Sequence, residues 1–336
     1  MKSESDPSTL QQAIQFFSNP DRALAYFVAR RWPDGVACPT CGRKDARYLA
    51  NQRKWQCKSV HPKRQFTAKV GTIMEDSALP LEKWMAAIWL LSNCKNGISS
   101  HELARHLGIT QKSAWFMLHR IRFAMRVDTD PGTMGGPGGG EVEVDETYIG
   151  PTPRNMHRAR RIKAQVAHNF APKGERGHYA YKIGVQGILD RETRQIRTTV
   201  LKNAKRDSLQ AAVLENVAHG SNIYTDQHVS YAGLADRGFV HQVVNHLERY
   251  VDGRVHTNGL ENYWSLFKRT LRGTYVAVEP FHLERYADEQ AFRFNFRRDG
   301  ERKMTDAERF NVVLSGVAGR RLTYEKLTGK EGETAF

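Results

Sequence analysis

The sequence predicts a multidomain α/β protein, in which a small cysteine-knuckle module and a helical module are followed, across a glycine-rich joint, by a mixed-sheet α/β domain. Three observations carry that expectation. Three of the four cysteines bunch between positions 38 and 57. Apolar residues from Ile98 to Met125 keep helical spacing with one break at a glycine. Residues 130–140 hold six glycines and two prolines in eleven positions, and strand-like runs begin only after them. A chain of 336 residues, at ~100–200 per domain, accommodates two or three domains, so binding and chemistry can occupy different ones.

Charge narrows the class of partner. The chain holds 51 Lys+Arg against 36 Asp+Glu, a formal net charge of +15, while 40% hydrophobic residues supply enough apolar material for real cores. A polyanion is the natural partner. No early segment joins a positive start to an apolar run, and the most apolar stretch, 84–91, is far short of the ~20 residues that span a bilayer. A soluble, cytoplasmic protein with no membrane partner is expected. Cysteines spaced in this way suit metal binding in a reducing compartment better than a disulfide framework.

After a helical lead-in over 1–30, the region 31–75 reads as a zinc ribbon. Cys38-Pro-Thr-Cys41 is a knuckle, and Cys57 with His61 supplies two further donors, a set that can close a tetrahedron around Zn2+. Gly42 suits the tight turn that aims two thiolates at one ion. His61 stands where a ribbon usually carries a second paired cysteine. Cys94 lies in an apolar helical pattern and reads as a core residue.

The region 76–129 carries a helix-turn-helix pattern, with Leu103, Leu107, Ile109, Ala114, Leu118 and Ile121 at helical spacing around Gly108-Ile109-Thr110. Ser99 and Ser100 can cap the first helix and Thr110 the second. Gln111, Lys112, Ser113 and Trp115 then stand near the start of the second helix, where base edges are reached. The joint at 130–140 should act as a flexible tether. Beyond it, 141–150, 179–189 and 195–201 read as strands of an antiparallel meander with a polar turn at Asp190-Arg191-Glu192-Thr193. The segment 208–218 reads as a helix capped by Asp207. Residues 154–177, with Lys or Arg at seven positions, read as a basic surface loop.

Three acids stand out in the domain expected over 141–300. Alternation in the first strand places Val142, Val144 and Tyr148 on one face and Glu143, Asp145 and Thr147 on the other. Asp226 ends a short strand-like run, 221–225. Glu261 begins an amphipathic helix whose buried stripe is Leu260, Trp264, Phe267 and Leu271. At 100° per residue Glu261 and Lys268 lie only about 20° apart and roughly 10 Å along the axis. Three acids near one point need compensation, and a pair of Mg2+ or Mn2+ ions supplies it while organising displacement at phosphorus. Lys268 would then grip a phosphate of the DNA. Glu141, Glu143 and Glu146 read as solvated carboxylates, and 301–336 as a tail.

In combination these segments resemble the DDE transposases of bacterial insertion sequences, in the group with an amino-terminal zinc ribbon and an RNase H-like, ISXO-like catalytic domain. The likeness runs through Cys38-Pro-Thr-Cys41, Gly71-Thr-Ile-Met-Glu-Asp-Ser, Val144-Asp145-Glu146-Thr147-Tyr148-Ile149-Gly150, Ile223-Tyr224-Thr225-Asp226, His256-Thr257-Asn258, Glu261, Trp264 and Lys268. It implies that Asp145 and Asp226 are the first two metal-binding acids, Glu261 the third and Lys268 a DNA-contacting lysine, with 34 residues between Asp226 and Glu261. The group varies at the third acid, so Asn258 and His256 stay open for a share of that role. Double-stranded DNA, at element ends and target, would be the partner of a homo-oligomer that cleaves and joins strands. The competing expectation is a DNA-binding protein whose RNase H-like domain is a silent scaffold.

Overall fold

A computed structural model describes residues 6–126, 132–136, 139–150, 157–159, 161–162, 166, 182–201, 203, 205–227, 229–243 and 256–330. The chain divides into two compact units, one from Met1–Val127 with Phe296–Ala335, the other chiefly Asp128–Asn295.

In the first unit, α1 (Leu10–Phe17) opens on a capping box between Thr9 and Gln12, and α2 (Pro20–Arg31) on the Asn19 side chain. A three-stranded antiparallel sheet follows, β1 (Arg47–Leu49), β2 (Lys54–Gln56) and β3 (Gln65–Phe66), with Trp55 stacked on Phe66 across the register. The apolar run becomes α3 (Leu81–Asn93), which buries Trp84, Met85, Ile88, Trp89 and Leu91. Then come α4 (Ser100–Leu107) and α5 (Gln111–Met125), joined through Gly108, whose φ of 57° terminates α4 in the left-handed region. Ser99 and Thr110 cap the two helices as expected.

The second unit is a five-stranded sheet between helices. The meander is β4 (Glu141–Ile149), β5 (Ile183–Asp190) and β6 (Ile196–Val200), and β7 (Asn222–Thr225) and β8 (Val240–Val243) extend it in parallel from the other edge of β4, giving the order β6-β5-β4-β7-β8. On one face, α6 (Arg206–Asn216) covers Val142, Val144, Ile188 and Ile223 with Leu209 and Val213. On the other, α7 (Asn258–Thr270) and α8 (Leu283–Asn295) cover Val185 and Leu189, and the expected stripe of Leu260, Trp264, Phe267 and Leu271 is buried there. This is a mixed α/β architecture, as the sequence predicts.

Two local expectations are corrected. Asp207 does not cap α6; Lys205 holds the cap position without a side-chain bond, and Asp207 sits in the first turn, where a carboxylate favours the helix dipole. The glycine-rich segment is no free tether where it is described. Met134 is buried, its N–H donates to Asn216 (2.8 Å) and its carbonyl accepts from Ala218 (2.9 Å), and the Gly135 N–H donates to Asp190 (2.9 Å). A Cβ on Gly135 would fall 2.3 Å from Ser221 Oγ, so close packing, rather than flexibility, demands glycine there. The basic loop at 154–177 lies mostly outside the described residues.

After α8 the chain returns to the first unit. A short hairpin, β9 (Arg298–Asp299) and β10 (Arg302–Lys303), leads to α9 (Asp306–Ser315) and α10 (Tyr324–Leu327). Phe310 on α9 is fully buried, with Phe17, Tyr26 and Trp89 at ring-centroid distances of 5.5, 6.1 and 5.1 Å. The stretch expected to be a tail therefore closes the core of the first unit. Phe310→Ala should cost about 3–5 kcal/mol in urea unfolding; an unchanged midpoint would show that the return contributes nothing to stability.

Candidate functional site

β4 continues past the point where β7 ends. Its last pair with β7 is Glu143 opposite Tyr224, so Asp226, just beyond Thr225, lies at the uncovered edge of β4 near Asp145 and Glu146. Carboxylate oxygens of Asp145, Glu146 and Asp226 all lie within 4.8 Å of one another. Alternation sends residues 145 and 146 to opposite faces, yet a partner at the strand edge is reachable from both. The expectation that Glu146 is merely solvated is therefore overturned. Three hard oxygen donors that one small ion can touch together suit Mg2+ or Mn2+ rather than a thiophilic metal.

Each acid of β4 has its own support. The indole N–H of Trp264 donates to Asp145 Oδ2 at 2.8 Å. That contact depends on Gly187, which pairs with Asp145 on β5; a Cβ there would lie 2.8 Å from both Leu260 Cδ2 and Trp264 Cζ2. On the opposite face the buried Tyr231 hydroxyl donates to Glu146 Oε2 at 2.7 Å. Burial raises Asp145 from 3.8 to about 7, reinforced by the charges of Asp226 and Glu146 and partly offset by the Trp264 bond. Glu146 is raised to about 7, again chiefly by burial. Burial lowers Lys268 on α7, and the Asp145 carboxylate opposes that shift.

Glu261, by contrast, is exposed on α7 and is not among the acids that converge. Nor is His256, which belongs to a second network. Glu143, only 1% exposed, accepts from Arg191 Nε (2.8 Å) and from the backbone N–H of Leu260 (3.0 Å), and His256 Nδ1 lies 3.5 Å from it. Arg191 also stacks over the Tyr224 ring at 4.3 Å. This network clamps the first turn of α7 to β4, so Glu143 is a structural carboxylate rather than a solvated one. Asn258 is exposed at the first position of α7.

In the first unit Cys38, Cys41, Cys57 and His61 offer ligand atoms within 4.8 Å of one another. Cys38 Sγ is 3.5 Å from His61 Nε2, and Cys41 Sγ is 3.6 Å from Cys57 Sγ. Gly42 makes the expected turn at φ 72°, with its N–H donating to the Cys38 carbonyl. A three-thiol, one-imidazole set of this size fits a tetrahedral Zn2+. Along α5, Gln111 and Lys112 are exposed, whereas Ser113 and Trp115 are half-buried. The Lys112 ammonium lies 4.6 Å from the Tyr324 ring centroid, and Trp115 packs edge-on to His119 and Tyr324, so α10 lies against part of the face expected to meet bases.

Sequence reasoning missed Glu146, Tyr231 and the indole bond of Trp264. The adjacency of two acids in Asp145-Glu146 was the available signal, but alternation argued against it.

Residues 138–295 match the family described as ISXO2-like transposase domain, and residues 18–59 match the transposase zinc-ribbon domain. A protein described as uncharacterized in the transposable element ISH50 of Halobacterium salinarum is 27% identical over 264 residues, covering 77% of this chain and 85% of that protein. A chain in the simian T-cell lymphotropic virus intasome, in complex with PP2A regulatory subunit B56 gamma, is 11% identical with a TM-score of 0.29, over 65% of this chain and 72% of that chain. A likeness so slight carries no argument. Among the described residues no helix is long and apolar enough to cross a membrane.

The raised acids have a consequence for stability. With its folded value near 7 against 3.8 when unfolded, Asp145 holds a proton in the metal-free fold that the unfolded chain gives up, and the resulting stabilisation drains away as pH rises through that window. Asp145→Asn, which needs no proton, should therefore stabilise the metal-free protein at pH 8 by on the order of 2 kcal/mol, with the gain shrinking toward pH 5. Urea unfolding at the two pH values checks this; a difference independent of pH would mean Asp145 ionises in the fold as freely as in water.

Proposed function

We propose that this chain, which belongs to the insertion-sequence transposases that join a transposase zinc ribbon to an ISXO2-like DDE domain, binds the terminal inverted repeats of its element and catalyses metal-dependent DNA cleavage and strand transfer. The observation that carries the proposal is the convergence of Asp145, Glu146 and Asp226 at the β4–β7 edge inside the region matching the transposase domain. Asp145 and Asp226 are the acids we assign to the metal. Trp264 fixes the Asp145 carboxylate, and through the same indole ties α7 to the cluster. Glu261 lies three residues before Trp264 and Lys268 four after it, so both flank that contact along one side of α7. Glu261 is the acid we assign to reach the site from the helix only once DNA is bound, and Lys268 the cation for a DNA phosphate.

In the first step a water oxygen bonds to the scissile phosphorus, the bond to the 3′ oxygen breaks, and a 3′ hydroxyl is released. In the second, that hydroxyl oxygen bonds to a target phosphorus as its proton passes to solvent, and the bond to the target 3′ oxygen breaks, that oxygen taking up a proton from solvent. Divalent ions at the acids would neutralise phosphate charge and polarise the attacking oxygen. In the first unit, Zn2+ on Cys38, Cys41, Cys57 and His61 would supply folding energy that so small a sheet lacks. Gln111 and Lys112, exposed at the start of α5, are the base-contacting residues of the helix-turn-helix, while Ser113 bonds to Thr110 at the turn and Trp115 packs against His119 and Tyr324. Because two ends are processed in concert, a dimer or larger assembly on DNA is the active form.

The test is cleavage and strand transfer on a labelled element end with Mg2+, comparing the wild type with Asp226→Asn. Loss of an outer hydrogen-bond partner already costs ~10–100-fold at metal sites, so removing a ligand should lower both activities by more than about 100-fold while end binding persists. Specific end binding by both proteins, with cleavage by neither, would favour the silent scaffold.

A further inference from the structure

We propose that Glu146 is a ligand of the divalent ion held by Asp145 and Asp226 in the DNA-free protein, and that Tyr231 is the positioning residue that aims it. The proposal rests on the metal-dependent function above and adds to it where the third carboxylate comes from before DNA arrives.

The geometry behind it is a buried relay on the α6 side of the sheet. Glu146 pairs in register with Gln186 on β5. The Gln186 amide donates to the Leu209 carbonyl of α6 at 3.1 Å and to the Tyr231 oxygen at 3.4 Å. Tyr231, fully buried, donates in turn to Glu146 Oε2. Tyr231 lies five residues after Asp226, so one segment both carries the second acid and supplies the hydroxyl that steers Glu146 toward it. Placing a carboxylate beside two others in a largely buried site is costly unless a cation compensates. Glu261 cannot be that third donor in this conformation, because it is exposed and outside the converging oxygens.

Glu146→Gln separates a ligand from a core contact, since glutamine keeps the size and an oxygen to accept the Tyr231 bond but loses the charge. Mn2+ binding to the DNA-free full chain, read as free Mn2+ by electron paramagnetic resonance, gives a measure independent of catalysis. Thermal melts of each variant establish that it is folded. Glu146→Gln should weaken Mn2+ binding by at least ~10-fold, Tyr231→Phe by up to ~10-fold, and Glu261→Gln not at all. Wild-type affinity in Glu146→Gln, or an equal loss in Glu261→Gln, would overturn the proposal. Mn2+ binding lost in Asp226→Asn but kept in Glu146→Gln would sink this inference alone. A wild type that neither binds Mn2+ nor cuts DNA would sink both this inference and the proposed function.

Discussion

The burial of three carboxylates, Asp145, Glu146 and Asp226, beside one another is the constraint around which the second unit is arranged. Their oxygens share a space under 4.8 Å across, at a site buried enough to hold two of them near pKa 7. A fold seeking only stability would separate them or expose them. Here the β7 strand stops one residue before Asp226, β4 runs on, and hydrogen bonds from Trp264 on one face and Tyr231 on the other hold the two β4 acids in place. Gly187 is part of the same arrangement, because only a missing side chain lets the indole reach across β5 to Asp145. The unit thus gives up stability at high pH for a clustered set of carboxylates, a trade that fits the cation site proposed above.

The helix that carries Glu261 and Lys268 is anchored twice. Trp264 ties its middle to Asp145, and the Arg191–Glu143 pair, with His256 beside it, fixes its first turn through the Leu260 N–H. Because Glu143 is buried and bonded on both oxygens, removing Arg191 would leave an uncompensated charge beneath the start of α7. In the first unit, the Phe310 return closes an aromatic core built by α1, α2 and α3, and α10 rests on α5 through Tyr324. The carboxy-terminal stretch is therefore part of the unit that carries the ribbon and the helix pair.

Much of this was legible in periodicity. Leu260, Trp264, Phe267 and Leu271 mark the buried side of α7, alternation marks β4, Ser99 and Thr110 mark two helix starts, and the cysteine spacing marks the ribbon. What sequence could not reveal depended on distant packing. Glu146 faces away from Asp145 by alternation, and only the early end of β7 and the approach of Tyr231 bring it back. Arg191 sits in the expected turn, but its side chain folds inward to Glu143 and the Tyr224 ring, which no turn signal reveals. The glycine-rich joint reads as flexible by composition, yet Met134 within it bridges to Val217. Helical phase alone cannot show that Tyr324 packs against Trp115.

Diffraction from crystals of the full chain grown with Mn2+, measured for anomalous signal, addresses the central claim most directly. A peak is expected about 2.1 Å from carboxylate oxygens of both Asp145 and Asp226. A folded protein whose only anomalous peak lay elsewhere, with no density between those two acids at saturating Mn2+, would contradict it.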